Sequence, residues 1–202
     1  MNPRRILVGW RDGVPALLLA FVALGASAVE VRFERVAENV YAHVGDIGGR
    51  SVANQGLNAN IGLVVTPAGA VLIDSGATFN SARDIQAAIR RVTAQPVRWV
   101  INTGSQDHRW LGNGYFKTQG ADLIAHAAAV PDMRSRGGDQ LQALRTLLGT
   151  GANDTVPTLP SRLLEAADAR LELGGTAFEF RHRGGGHTPG DMIVWLPHAQ
   201  VA

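Results

Sequence analysis

Residues 184–197 read GGGHTPGDMIVWLP: three glycines, a histidine, a Thr-Pro-Gly-Asp turn and then an apolar run. Backbone built from glycine can come close to a ligand, and a histidine flanked by three glycines is rarely packed in a core. Met192 to Leu196 is short and apolar and reads as a buried strand. Just upstream, Ala177 to Arg183 alternates, with Phe178, Phe180 and His182 on one face, and Ala169 to Leu173 supplies a further strand before it. On that apolar face His182 reads as a satisfied core histidine. The glycine loop therefore joins two strands, a common way to mount polar chemistry on a rigid scaffold.

A second polar loop, Asn102-Thr103-Gly104-Ser105-Gln106-Asp107-His108-Arg109, follows the apolar strand Val97 to Ile101. Val31 to Val44 reads as an opening pair of strands, and Gly45 to Asn60 as a Gly/Asn-rich loop outside the core. Ile61 to Val65 and Ala70 to Ile73 form a hairpin across the turn Thr66-Pro67-Ala68-Gly69. Ala82, Ile85, Ala88, Ile89 and Val92 have helical spacing, which predicts a helix over 81–92 that Pro96 stops. A helix around Trp110 to Gln119 and a strand at Ala121 to Ala125 follow. Arg134, Arg136 and Asp139, beside Gly137-Gly138, read as a solvated loop. Leu141 to Leu148 reads as a helix, and Thr155 to Pro160 as a Pro-punctuated linker. Strand–helix–strand alternation next to hairpins predicts an α/β fold with helix-covered sheet.

Four stretches, in this order, carry a family likeness: Ile73-Asp74-Ser75-Gly76, the strand ending VINT with its polar loop, Leu111-Gly112-Asn113, and GGGHTPGDMIVWLP. Together they resemble the metallo-β-lactamase superfamily, and within it the exported metallohydrolases associated with quinoprotein systems. The resemblance runs from about Phe33 to Pro197. It implies a four-layer αββα sandwich with the site at one edge of the two sheets. Family members continue past the VWLP strand with a metal-bridging Asp, a helix and a late His, whereas this sequence stops at Ala202. The second half of the sandwich is therefore expected to be incomplete.

The family's metal loop reads His-x-His-x-Asp-His after a strand ending in Thr. Two His reach one zinc, the Asp and the last His reach a second, and an open position is left for hydroxide. Anchored on Thr103 and Gly112-Asn113, the four ligand positions fall on Gly104, Gln106, His108 and Arg109. Shifted by one, Asp107-His108 matches the family's Asp-His, and Thr103 and Ser105 fall on the earlier His positions. Glycine offers no donor, arginine is a permanent cation and glutamine is a weak neutral donor. His187 falls on the ligand His of the glycine-loop turn, with Thr188, Gly190 and Asp191 also matching.

The resemblance thus implies His187, His108 and Gln106 as metal-contacting candidates and Asp107 as the candidate catalytic carboxylate. Asp74, Thr188 and Asp191 are expected to support the site from behind. One weak zinc site or none is expected, depending on His187 first and His108 second. His187 as a structural loop residue, and His108 in a surface ion-pair cluster with Asp107 and Arg109, remain the plainer readings. His126, which ends the strand ADLIA, matches a position that is not usually a ligand.

The 202 residues are 46% hydrophobic and 18% charged with no cysteine, which fits a globular domain and excludes disulfides and thiolate chemistry. Arg4, Arg5, the apolar run Val14 to Leu24 and the Ala26-Ser27-Ala28 ending read as a secretory leader over 1–28, cut after Ala28. That leaves 29–202 as a partial metallo-β-lactamase-like domain, periplasmic or secreted. The leader carries three arginines against Asp12, a net +2 equal to that of the whole chain, so the remainder is near neutral. Lys117 is the only lysine, and no electrostatic footprint for nucleic acid is present. No segment after the leader is long and apolar enough to span a membrane. The expected partner is a small-molecule substrate, with self-association through the apolar strand edge Met192 to Leu196 as a further expectation. Two functions compete. One is metal-assisted hydrolysis of a lactam, ester or thioester, impaired in this chain. The other is a non-catalytic accessory or binding protein, or an inactive fragment, on the same scaffold.

Overall fold

The computed structural model describes residues 30–202; the expected leader lies outside the described residues. Among the described residues ten strands form two sheets. The first has seven, in spatial order β1 (Glu34–Ala37), β2 (Val40–His43), β3 (Ile61–Thr66), β4 (Gly69–Ile73), β5 (Val97–Asn102), β6 (Asp122–His126) and β7 (Arg162–Leu164). The pairs from β1 to β4 are antiparallel, and those from β4 to β7 are parallel. The second sheet is antiparallel, in the order β10 (Met192–Trp195), β9 (Thr176–His182), β8 (Asp168–Leu173).

The central strands are apolar on both faces because both faces are covered. Leu63, Leu72, Val100 and Leu123 pack with Ile85 and Ile89 of helix α1 (Phe79–Val92). Their neighbours Val64, Val71, Ile101 and Ile124 point the other way, onto Phe178, Phe180, Met192 and Val194 of the second sheet. Helix α1 starts at Phe79, two residues before the expected start at 81. Thr78 caps it, accepting from the Ser81 N–H while the Ser81 side chain accepts from the Thr78 N–H.

Three expectations are corrected. The helix expected around Trp110 to Gln119 is two short helices, α2 (Asp107–Trp110) and α3 (Asn113–Thr118). They are separated at Gly112, which lies against the Ser75 carbonyl and donates to the Gly76 carbonyl at 2.9 Å. The solvated loop near Gly137-Gly138 is instead the middle of a 20-residue helix, α4 (Ala129–Leu148). Pro131 sits in its first turn, where no intrahelical N–H is needed, and Gly137 lets the helix lie on Trp110: a Cβ there would be 2.8 Å from the indole Cη2. Third, the stretch after the Pro-rich linker pairs with β6 as β7. The Gly45–Asn60 loop also sends two side chains into the core, Leu57 and Ala59.

β10 is the edge of its sheet. Beyond it the chain turns back to form a bridge between Leu196 and Val201. Between β10 and β2–β3 lies an apolar cleft of about 560 Å³, lined among others by Val40, Ile61, Leu63, Met192 and Val194 and ending at Asp74 and Thr103.

Candidate functional site

Asp74, Thr103–Arg109 and His187–Asp191 converge at one end of the sheets. Asp74 ends β4 with a left-handed backbone, φ 65°, a conformation that aspartate tolerates better than most residues. Its two carboxylate oxygens accept from the Thr103 N–H at 2.8 Å and the Thr103 hydroxyl at 2.7 Å. Burial nevertheless wins over these bonds and pushes its pKa up to about 6.

The two loops are stitched together. Thr188 Oγ accepts the Ser105 N–H at 3.1 Å, and the Thr103 carbonyl accepts the Met192 N–H at 2.9 Å. From behind, α4 holds the first loop: Ser105 Oγ bonds Asp132, and Gln140 donates to the Ser105 carbonyl at 2.9 Å. Asp191 organises the second loop. It accepts from the His187 N–H at 2.7 Å, the Thr188 N–H at 3.2 Å and the Thr188 hydroxyl. Burial raises the Asp191 pKa, but these bonds and Arg109 outweigh it and hold the carboxyl below the usual range. Asp191 and Thr188 are thus hydrogen-bonded to one another within the turn.

The expected metal-contacting residues are arranged differently from a ligand set. Asp107 is 3% exposed, and its carboxylate is taken by Arg50, whose Nη2 lies 2.5 Å from Oδ1. The same Nη2 is 3.4 Å from His108 Nδ1, so the guanidinium also lies against one of the two ring nitrogens of His108. His108 stays neutral: burial, together with the charges of Arg50, Arg109 and His187, lowers its pKa to about 4 against the pull of Asp107. His187 is exposed, near enough for its charge to act on His108, and its ring makes no hydrogen bond among the described residues. Gln106 begins α2 without capping it through its side chain.

Gly104 and Arg109, at two ligand positions of the first register, share one small space. A Cβ on Gly104 would lie 2.9 Å from Arg109 Nη1 and 3.0 Å from Thr188 Oγ1. Arg109 turns inward, 3.6 Å from Asp191 and 3.3 Å from the Thr103 hydroxyl. A larger residue at 104 would have to displace Asp191, Arg109 and Thr188. Among the described residues no three His, Asp or Glu side chains gather into a group able to hold a metal ion. The donor set therefore does not fit a two-zinc centre.

Arg50 is the residue that sequence reading missed. It comes from the Gly45–Asn60 loop, 57 residues from Asp107, and no local motif marks it. His182 turns its Nδ1 to the Asp191 carbonyl at 2.9 Å and stacks on His126 with ring centroids 3.8 Å apart. It props the second loop and lies apart from the Arg50–Asp107–His108 cluster.

A family model described as the metallo-beta-lactamase superfamily matches residues 54–202. Solved structures share the fold. The metallo-beta-lactamase from Pontibacter korlensis is 20% identical with a TM-score of 0.64, over 84% of this chain and 68% of that one. Metallo-beta-lactamase IND-7 is 20% identical with a TM-score of 0.63, over 84% and 68%. Native FEZ-1 metallo-beta-lactamase from Legionella gormanii is 22% identical with a TM-score of 0.62, over 84% and 59%. This chain thus spans about two thirds or less of the length of those proteins. With a family model covering most of its residues and a mixed α/β sandwich to match, the chain belongs to the metallo-beta-lactamase superfamily, whose members generally bind zinc.

Proposed function

We propose that this chain is a binding or accessory protein on the metallo-β-lactamase scaffold, in which metal-assisted hydrolysis of a lactam, ester or thioester is impaired. The observation that carries this reading is the engagement of two of the three site carboxylates by arginines, Asp107 by Arg50 and Asp191 by Arg109. Hydroxide generation needs a cation with an open coordination position, and a guanidinium has only N–H donors to offer. The apolar cleft supports binding in its place. It is large enough for a small molecule, and Asp74 and Thr103 give it a polar end. Asp74, with its pKa near 6, offers a protonated carboxyl to such a ligand on the acid side of that value.

The hydrolase reading is favoured by one observation, the retained His187-Thr188-Pro189-Gly190-Asp191 turn with its hydrogen bonds in place. Turnover of a chromogenic cephalosporin and of a thioester separates the two, measured after dialysis against chelator and again with added zinc. No zinc-dependent turnover is expected. Hydrolysis lost to chelator and restored by about two zinc equivalents would overturn the proposal. The reading includes export, with removal of residues 1–28. N-terminal sequencing of the secreted protein is then expected to begin at Val29, and a cytosolic product starting at Met1 would contradict it. Self-association through the β10 edge belongs to the same reading.

A further inference from the structure

We infer that Arg50 stands in for a metal ion, its guanidinium supplying the positive charge that holds Asp107 and His108 together in this fold. The inference rests on the reading above and assigns a role to a residue outside every matched motif.

The surroundings of Arg50 are built to present it. Asn54 reaches back over the loop, its Nδ2 donating to the Gly49 carbonyl at 3.0 Å and its Oδ1 accepting the Ser51 N–H at 2.9 Å. The residues immediately before and after Arg50 are thereby tied to one buried side chain. The same Oδ1 also accepts the Gly56 N–H at 3.1 Å. Asn54 is a positioning residue: it fixes the backbone from which the arginine reaches Asp107.

Charge explains why such a residue is needed. Asp107 is buried, and its Oδ1 accepts from the His108 N–H at 2.8 Å as well as from Arg50. A buried carboxylate is strongly disfavoured without a cation beside it. Arg50 provides that cation and leaves no separate place for another beside the same oxygen. Arg109 does the same for Asp191. Two arginines that reach in from partly exposed positions thus occupy the carboxylates of the site, and a divalent ion could enter only where a guanidinium had been removed.

Thermal unfolding of the purified chain tests this, with chelator and with excess zinc, for the wild type, Arg50→Met and Arg50→Lys. The wild-type midpoint is expected to be the same in chelator and in zinc. Arg50→Met is expected to melt about 5 °C lower, the order of shift for a buried carboxylate that loses a partly exposed partner in a domain of this size. Zinc is expected to restore part of that shift through Asp107 and His108, and His108→Ala in the same background to reduce the rescue. Arg50→Lys keeps the charge and is expected to ignore zinc. Should Arg50→Met fail to fold, Arg50→Gln, which removes the charge but keeps a polar side chain, is expected to show the same zinc response. Failure of zinc to stabilise either charge-removing variant overturns the inference and leaves the proposed function standing. A wild type that zinc stabilises as strongly as Arg50→Met overturns both.

Discussion

Thr103 holds Asp74 with two bonds from one residue, its backbone N–H on one carboxylate oxygen and its hydroxyl on the other. The bonded carboxyl is still easier to protonate than in the unfolded chain, because burial outweighs both donors. Close by, His108 is shifted the opposite way, which produces two opposed pH dependences in one site.

The folded Asp74 pKa of about 6 lies above its ordinary 3.8. Its contribution to stability is full below 3.8 and is lost as pH rises through 6. His108 at about 4 lies below its ordinary 6.5, so its contribution is full above 6.5 and is lost as pH falls toward 4. Between these limits the two slopes oppose one another. Asp74→Asn removes the falling one, so its urea midpoint is expected to climb more steeply from pH 4 to 6.5 than that of the wild type. His108→Asn is expected to flatten or reverse the slope. Parallel curves for Asp74→Asn and wild type would refute the assignment.

Restoring histidine at the lost ligand position is not expected to restore zinc. In Gly104→His the new side chain meets Arg109 and Thr188 at once, and overpacking of this kind costs about 1–3 kcal/mol. Calorimetric titration is expected to show no tight zinc site, and thermal melting a lower midpoint. Stoichiometric zinc binding at wild-type stability would contradict the packing argument.

Two adjacent glycines of α4 are expected to respond with opposite signs. Gly138 faces open space, so Gly138→Ala gains helix propensity, up to about 1 kcal/mol. In Gly137→Ala the same gain is offset by contact with the buried Trp110 ring at 2.8 Å, and the variant is expected to be less stable than wild type. Paired urea denaturation curves decide the point, and stabilisation by both changes would show that the helix can move off the indole.

These glycines also show what the sequence hid. Helix α1 and the β3–β4 hairpin were legible because their apolar periods run unbroken between a cap or turn and a proline. Most of α4 was not legible, because Pro131, Gly137 and Gly138 all read as breakers until Trp110 is seen lying against the helix. β7 has three residues, with Arg162 and Leu163 exposed, too little pattern to show as a strand. The matched loops around Asp107 and His187 were legible as candidate site segments through their motifs. Arg50 was invisible, since its partner is distant in sequence and its loop carries no recognisable spacing.

The edge strand β10 presents Ile193, 52% exposed, and carries no charge or proline to discourage pairing. Ile193→Lys is expected to abolish concentration-dependent association of the wild type in sedimentation velocity and to leave the far-ultraviolet circular dichroism unchanged. A wild type that stays monomeric at high concentration would remove this expectation.

The bond from the Ser105 N–H to Thr188 joins residues 83 positions apart. During synthesis, the first loop must therefore wait with its backbone donor unanswered until the glycine turn has emerged and docked. Contacts of such long sequence separation form late and slowly. A nascent chain halted between the two loops would hold a finished β3–β4 hairpin and an unfinished site, a state that chaperones would meet before any ligand could.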